Sequence, residues 1–228
     1  MGFFDQESIL TPALPPVSVT EKHLPCVLLL DTSGSMGGAP IAALNDGVAR
    51  FKETALRDEQ AVKSVESAIV TFHTTATVNT GFAPIGDFNV PALEADGTTA
   101  MGAGINCALD LIEERKNIYK QIGTPYYRAW IFMITDGEPT DEWRQAAARL
   151  KEEHDRKRVL FFAIGVGNYN RDILAQVSPN GQVLEMTNLD FAGLFEWLSS
   201  SLSETSRSKP GDKLALPPAP SNILIVET

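Results

Sequence analysis

Three unbroken apolar runs constrain this chain more than any other feature: CVLLL at 26–30, AWIFMIT at 129–135 and VLFFAIGVG at 159–167. A strand with one face in water alternates apolar and polar residues, whereas a strand with no polar side must be covered on both faces. Between the runs the period changes. Ile41, Leu44, Val48, Phe51 and Ala55 recur at three- and four-residue steps, as do Ile105, Ala108, Leu109 and Ile112. DEWRQAAARLKEEHDRK at 141–157 reads as a further amphipathic helix, and another is expected from Asp190 to about Glu204. SAIVTF at 67–72 and TATVNTGF at 75–82 lie close enough to pair as a hairpin, and QVLEM at 182–186 is a short strand. Alternating strands and helices around doubly buried strands predict an α/β fold. The expectation is a doubly wound, mostly parallel, six-stranded sheet with one antiparallel edge strand and helices on both faces.

A chain of 228 residues, 43% hydrophobic, has room for one such domain with additional termini. Pro12, Pro15 and Pro16, with Pro25 just beyond, make residues 1–23 an extended arm, in which PVSVT at 16–20 has the character of a short strand. The domain proper is expected over 24–206, followed by a flexible linker and apolar tail over 207–228. That tail ends in NILIVET, too β-prone for a solvated end, so it should pair with this domain, with a partner, or with a second copy; Glu227 is a carboxylate that a second copy could receive.

The formal charge of −10 excludes a broad basic surface for nucleic acid. The one basic concentration, DRKRV at 155–159, follows Glu152 and Glu153 at a helix end, where cations suit the helix dipole. No apolar run has the length of a membrane span, and the N-terminus has no basic, then apolar, leader pattern. Cys26 and Cys107 read as reduced core cysteines, which suits a cytoplasmic protein. His73 falls at a strand end, and His23 and His154 are expected to face solvent.

In an open α/β sheet, sites lie beyond the carboxyl ends of the strands. After the first apolar run stand Asp31, Ser33 and Ser35; after the second, Thr135, Asp136, Gly137 and Glu138; before the helix at 101, Thr98 and Thr99. Two carboxylates and several hydroxyls, with no His or Cys, make a hard-oxygen donor set, suited to Mg²⁺. Asp-x-Ser-x-Ser points alternate side chains to one side of an extended loop, and Gly34 and Gly37 let the backbone turn tightly. A plain strand-to-helix turn is the competing reading of the same residues.

DTSGSM at 31–36 resembles the DxSxS motif of von Willebrand factor A domains, TTAMGAGI at 98–105 is similar to that family's threonine loop, and ITDGEP at 134–139 to its second aspartate loop. The order is the family's, and the resemblance spans roughly 24–204. It implies a metal-ion-dependent adhesion site with Asp31, Ser33, Ser35, Thr99 and Asp136 as ligands. Thr98 is the alternative threonine, because many relatives have glycine at its place. The ion would be Mg²⁺, or Mn²⁺ or Ca²⁺, with an open position filled by a protein partner's Asp or Glu. Gly34, Met36, Thr98, Glu138 and Trp143 are the expected partner-binding rim. Trp143 is either core or an exposed aromatic anchor, and Glu138 either stands behind the ligands or is a solvated loop charge.

Within the family, LPCVLLLDTSGSMGGAPIAALNDGV and YYRAWIFMITDGEPTDEW resemble the bacterial TerY-like proteins of tellurite-resistance and stress gene clusters. That likeness implies an adaptor or scaffold, not an enzyme, acting beside phosphatase or kinase partners. The rival reading is a Mg²⁺-dependent phosphohydrolase or phosphotransferase with Asp31 as nucleophile. Such chemistry usually has a second carboxylate two residues on, where this chain has Ser33.

Overall fold

The computed structural model describes residues 21–186, 188–207 and 217–220, together with the backbone of 223–226. Residues 1–20 of the arm expected over 1–23, its PVSVT segment among them, and Glu227 lie outside the described residues. Seven strands are described: β1 (Leu24–Asp31), β2 (Val65–Phe72), β3 (Ala76–Pro84), β4 (Ala129–Thr135), β5 (Val159–Val166), β6 (Val183–Met186) and β7 (Ile223–Val226). They form one sheet in the order β3-β2-β1-β4-β5-β6-β7. The neighbours from β2 to β6 are parallel, and β3 pairs antiparallel with β2 at one edge. This is the expected six-stranded mixed sheet. The tail adds β7, antiparallel to β6, at the other edge.

The apolar runs are explained by burial on both sides. Leu28 and Leu30 of β1 and Phe132 of β4 face one apolar layer, while Val27, Leu29, Ile131 and Met133 face the other. The first layer is closed by α1 (Ala39–Ala55) and α6 (Phe191–Arg207), whose Phe51 and Phe195 rings stand 5.9 Å apart. The second is closed by α3 (Met101–Ile122), α4 (Arg144–Asp155) and the short α5 (Arg171–Val177). A further short helix, α2 (Glu59–Ser64), begins where the Asp58 carboxylate accepts the N–H groups of Gln60 and Ala61 at 2.9 and 3.0 Å.

The parallel order matters for function. It sends the carboxyl ends of five strands to one end of the sheet and brings the loops that follow them together there. The other end holds a buried polar group. Here His23, expected in solvent, is 3% exposed. It stacks on Tyr119 at 5.1 Å and sets Nδ1 3.0 Å from Glu66. Its imidazole is drawn inside because β2 buries a carboxylate at this point. His154 is likewise half-buried, not exposed, with its carbonyl accepting from Arg128 at 2.7 Å. Cys26 is buried, Cys107 is half-buried, and both are free thiols.

Candidate metal centre

Asp31 ends β1 and is fully buried. Its Oδ1 accepts the Ser33 N–H at 2.8 Å and its Oδ2 the Thr135 hydroxyl at 2.5 Å. The first bond curls the loop back on the strand end, which brings the Ser33 and Ser35 hydroxyls within 3.0 Å of each other. Ser35 in turn donates to Asp136 Oδ1 at 2.7 Å, joining the loop after β1 to the loop after β4. Thr99 arrives from a third loop. A methyl group placed on Gly137 would lie 3.1 Å from its hydroxyl oxygen and 3.5 Å from Asp31 Oδ2, so Gly137 leaves the space in which these oxygens face each other. Thr99 is buried, whereas Thr98 is exposed, and its N–H reaches the Thr74 hydroxyl at 3.3 Å.

Backbone bonds lock the three loops in place. Asp96 N–H donates to Thr32 O at 2.9 Å and Gly34 N–H to Gly97 O at 3.1 Å. Thr99 N–H donates to the Thr140 hydroxyl at 3.1 Å, and Thr140 N–H returns to Thr99 O at 2.8 Å. Asp141 reaches across to cap α3, accepting from Gly102 and Ala103 at 3.0 and 2.9 Å. That approach needs glycine at 102, where a Cβ would sit 2.8 Å from the backbone of Trp143. Thr135, Thr140 and Asp141 are thus supporting residues, of which the sequence singled out only Thr135. Asp141 before Trp143 resembles a cap for its own helix, and only the fold reveals that it caps another.

Two expected rim residues do not present their side chains. Trp143 is 6% exposed and packs in the second apolar layer, with the Arg144 guanidinium 4.8 Å above its ring. An indole over the junction of α3 and α4 gains more from burial than from water. Met36 is fully buried under the loop. Gly34, Thr98 and Glu138 are exposed.

The donor set fits a hard cation. Mg²⁺ sits about 2.1 Å from its ligands, which puts adjacent octahedral oxygens about 3 Å apart, close to the 3.0 and 2.7 Å separations here. Burial pushes the Asp31 carboxyl above its ordinary value, and the charge of Asp136 adds to this, against the hydrogen bonds of Ser33 and Thr135. Among the described residues no lysine, arginine or histidine forms an ion pair with either aspartate. Nor, among those residues, does any cluster of three His, Cys, Asp or Glu side chains offer another metal site.

The structure is thus a doubly wound α/β domain with hydroxyls and carboxylates gathered at its strand ends. The model of the von Willebrand factor type A domain matches residues 26–196, and the chain belongs to that family. Solved structures agree on the fold. A von Willebrand factor type A protein from Catenulispora acidiphila aligns with TM-score 0.61 at 17% identity, over 80% of this chain and 43% of that one. Proximal thread matrix protein 1 from the mussel byssus, in a structure with a zinc-occupied MIDAS motif, gives 0.54 at 18%, over 78% and 46%. The pilus adhesin SpaC of Lactobacillus rhamnosus GG, in an open conformation, gives 0.63 at 13%, over 82% and 30%. The chain thus spans less than half the length of each of these structures. No curated protein matches it.

Proposed function

We propose that the chain is a metal-dependent protein-interaction module. Asp31, Ser33, Ser35, Thr99 and Asp136 hold a divalent cation, Mg²⁺ or alternatively Mn²⁺ or Ca²⁺, and a protein partner contributes an Asp or Glu carboxylate. The observation that carries this reading is Asp31: fully buried, beside a second aspartate, with only hydroxyl and amide donors. When bound, the cation would supply the positive charge with which Asp31 and Asp136 form no ion pair among the described residues. The Ser33 and Ser35 hydroxyls, 3.0 Å apart, would turn to the ion, while Thr135 and the Ser33 amide hold Asp31 oriented.

The phosphohydrolase alternative is weakened by the loop's own residues, since that chemistry usually has a second carboxylate two residues on from the nucleophile, where this chain has Ser33. The likeness of the β1 and β4 loops to TerY-like proteins supports a finer reading: a cytoplasmic adaptor in a bacterial tellurite-resistance or stress-response system, with a phosphatase or kinase as partner. Free thiols at Cys26 and Cys107 suit that compartment. No helix among the described residues is long and apolar enough to cross a membrane.

Calorimetric titration of EDTA-stripped protein with Mg²⁺ and Mn²⁺ tests the centre. Wild type should bind one ion, and Asp31→Ala none while keeping its circular dichroism. Absence of binding by wild type, even with concentrated acetate standing in for the partner's carboxylate, would sink the reading.

A further inference from the structure

A groove of about 300 Å³ runs between α4 and the end of α5. Trp143 and Ala147 line its α4 side, and Val177 and Pro179 close the other. The charged side chains that line it are both cations, Arg144 and Lys151. Seven residues apart on one helix, they share a face about 10 Å apart. Both are exposed. Among the described residues Arg144 has no carboxylate partner, and its guanidinium rests on the Trp143 ring at 4.8 Å. Lys151 pairs with Asp155 at 3.1 Å, but both side chains are 58% exposed, and so wet a pair is exchanged at little cost. An apolar floor beside two cations, in a chain of net charge −10, is the complement of a segment that is both apolar and acidic.

The chain holds such a segment outside the described residues. MGFFDQESIL at 1–10 has Phe3, Phe4, Ile9 and Leu10 and the carboxylates of Asp5 and Glu7, and residues 1–20 contain no lysine or arginine. We propose that residues 3–10 dock in this groove of their own chain. The Phe3–Phe4 pair covers Ala147, Val177 and Pro179, and Asp5 and Glu7 face Arg144 and Lys151. Residues two apart in an extended segment project to one side about 7 Å apart, so the two carboxylates can address both cations.

The arm is long enough. Tyr127 N–H donates to His23 O at 2.8 Å, which fixes the root of the arm beside the residues that lead into β4. The next residue, Arg128, donates to His154 O at 2.7 Å, and Lys151 lies one turn back along α4. These contacts put Lys151 within about 30 Å of His23. Residues 11–22, kept extended by Pro12, Pro15 and Pro16, span about 37 Å at about 3.1 Å each. They reach the groove and deliver residues 3–10 along it, and a stiff spacer loses little entropy on docking. The contact needs no metal. It covers a surface beside the metal end, because Trp143 stands against Gly102, where the threonine loop enters α3.

The test uses the full chain with the photo-cross-linker benzoylphenylalanine in place of Phe4, irradiated in EDTA, digested and read by mass spectrometry. The expected product is a cross-link within one chain to 143–151 or 176–179. The pair Arg144→Glu, Lys151→Glu should lower its yield at least about fivefold, with circular dichroism unchanged because both side chains are exposed. Adding Asp5→Lys and Glu7→Lys should restore the yield. Cross-links that fall elsewhere, or none, would overturn the docking. Cross-links to the groove found only between chains, in a mixture of isotopically light and heavy protein, would overturn the contact within one chain. A yield indifferent to both charge reversals would overturn the pairing with Arg144 and Lys151.

Discussion

Two buried carboxylates sit at opposite ends of adjacent strands, Asp31 at the carboxyl end of β1 and Glu66 near the start of β2, and the chain treats them in opposite ways. Glu66 is 1% exposed and meets Arg115 Nε at 2.7 Å, His23 Nδ1 at 3.0 Å and the Tyr119 hydroxyl. Burial alone would raise its carboxyl. Hydrogen bonds from His23, Arg115 and Tyr119, with the Arg115 charge, outweigh that and bring it down to about 2. Asp31, equally buried, has hydroxyl and amide donors and a neighbouring aspartate, and its carboxyl goes up. One end of the sheet is electrostatically complete. At the other, Asp31 has no ion-pair partner among the described residues, at the place where three loops meet.

Removing the cation at the complete end gives the largest effect. Arg115→Met leaves Glu66 buried and ionised, and breaking such a pair costs about 3–5 kcal/mol. Asp31→Asn does the reverse at the metal end, since it removes a buried charge that has no counter-ion. In EDTA, urea unfolding should place Arg115→Met far below wild type and Asp31→Asn level with it or above. A loss in Asp31→Asn as large as in Arg115→Met would mean that Asp31 is already compensated, and the contrast between the ends would fall.

Acid sharpens the comparison. A carboxyl lowered from 4.5 to about 2 stabilises the folded state by about 3 kcal/mol above pH 4.5, and this contribution fades as pH falls through 2. Asp31 has the opposite sign. Its raised carboxyl makes the folded state the better proton acceptor, so its contribution improves as the solution becomes more acidic. The stability gap between wild type and Glu66→Gln, measured by denaturation in EDTA, should therefore be widest near neutrality and narrow between pH 4.5 and 2. A constant gap over that range would assign the effect of Glu66 to packing.

What the sequence made legible follows the same division. The doubly buried strands could be read because an apolar run such as AWIFMIT has one structural explanation. That three loops meet beyond Asp31 could be read because the loops that follow parallel strands all lie at one end of the sheet. The Glu66 group could not. His23 looked solvent-facing because nothing local joins it to residues 66, 115 and 119, which only the sheet and α3 bring together. Trp143 could be read either way: its helix opens near the rim, but Gly102 lets α3 approach closely and the ring is core, not an exposed anchor. The helices α2 and α5, of 6 and 7 residues, were too short to register a period and depend on the caps at Asp58 and Asn170.

The smallest expected effect separates two adjacent threonines. Thr99 is 5% exposed, and its hydroxyl shares the space in front of Gly137 with Asp31 Oδ2. Thr98 is exposed, and its described bond is made by the backbone. Loss of one hydroxyl ligand out of five donors should weaken Mn²⁺ binding about tenfold, roughly 1.4 kcal/mol, with Thr99→Ser restoring it. Thr98→Ala should leave the titration curve unchanged, because the Thr98 N–H, not its hydroxyl, holds the loop to Thr74. Should Thr98→Ala weaken the ion and Thr99→Ala spare it, the loop must turn over when metal binds, and the metal end would be less pre-formed than its hydrogen bonds imply.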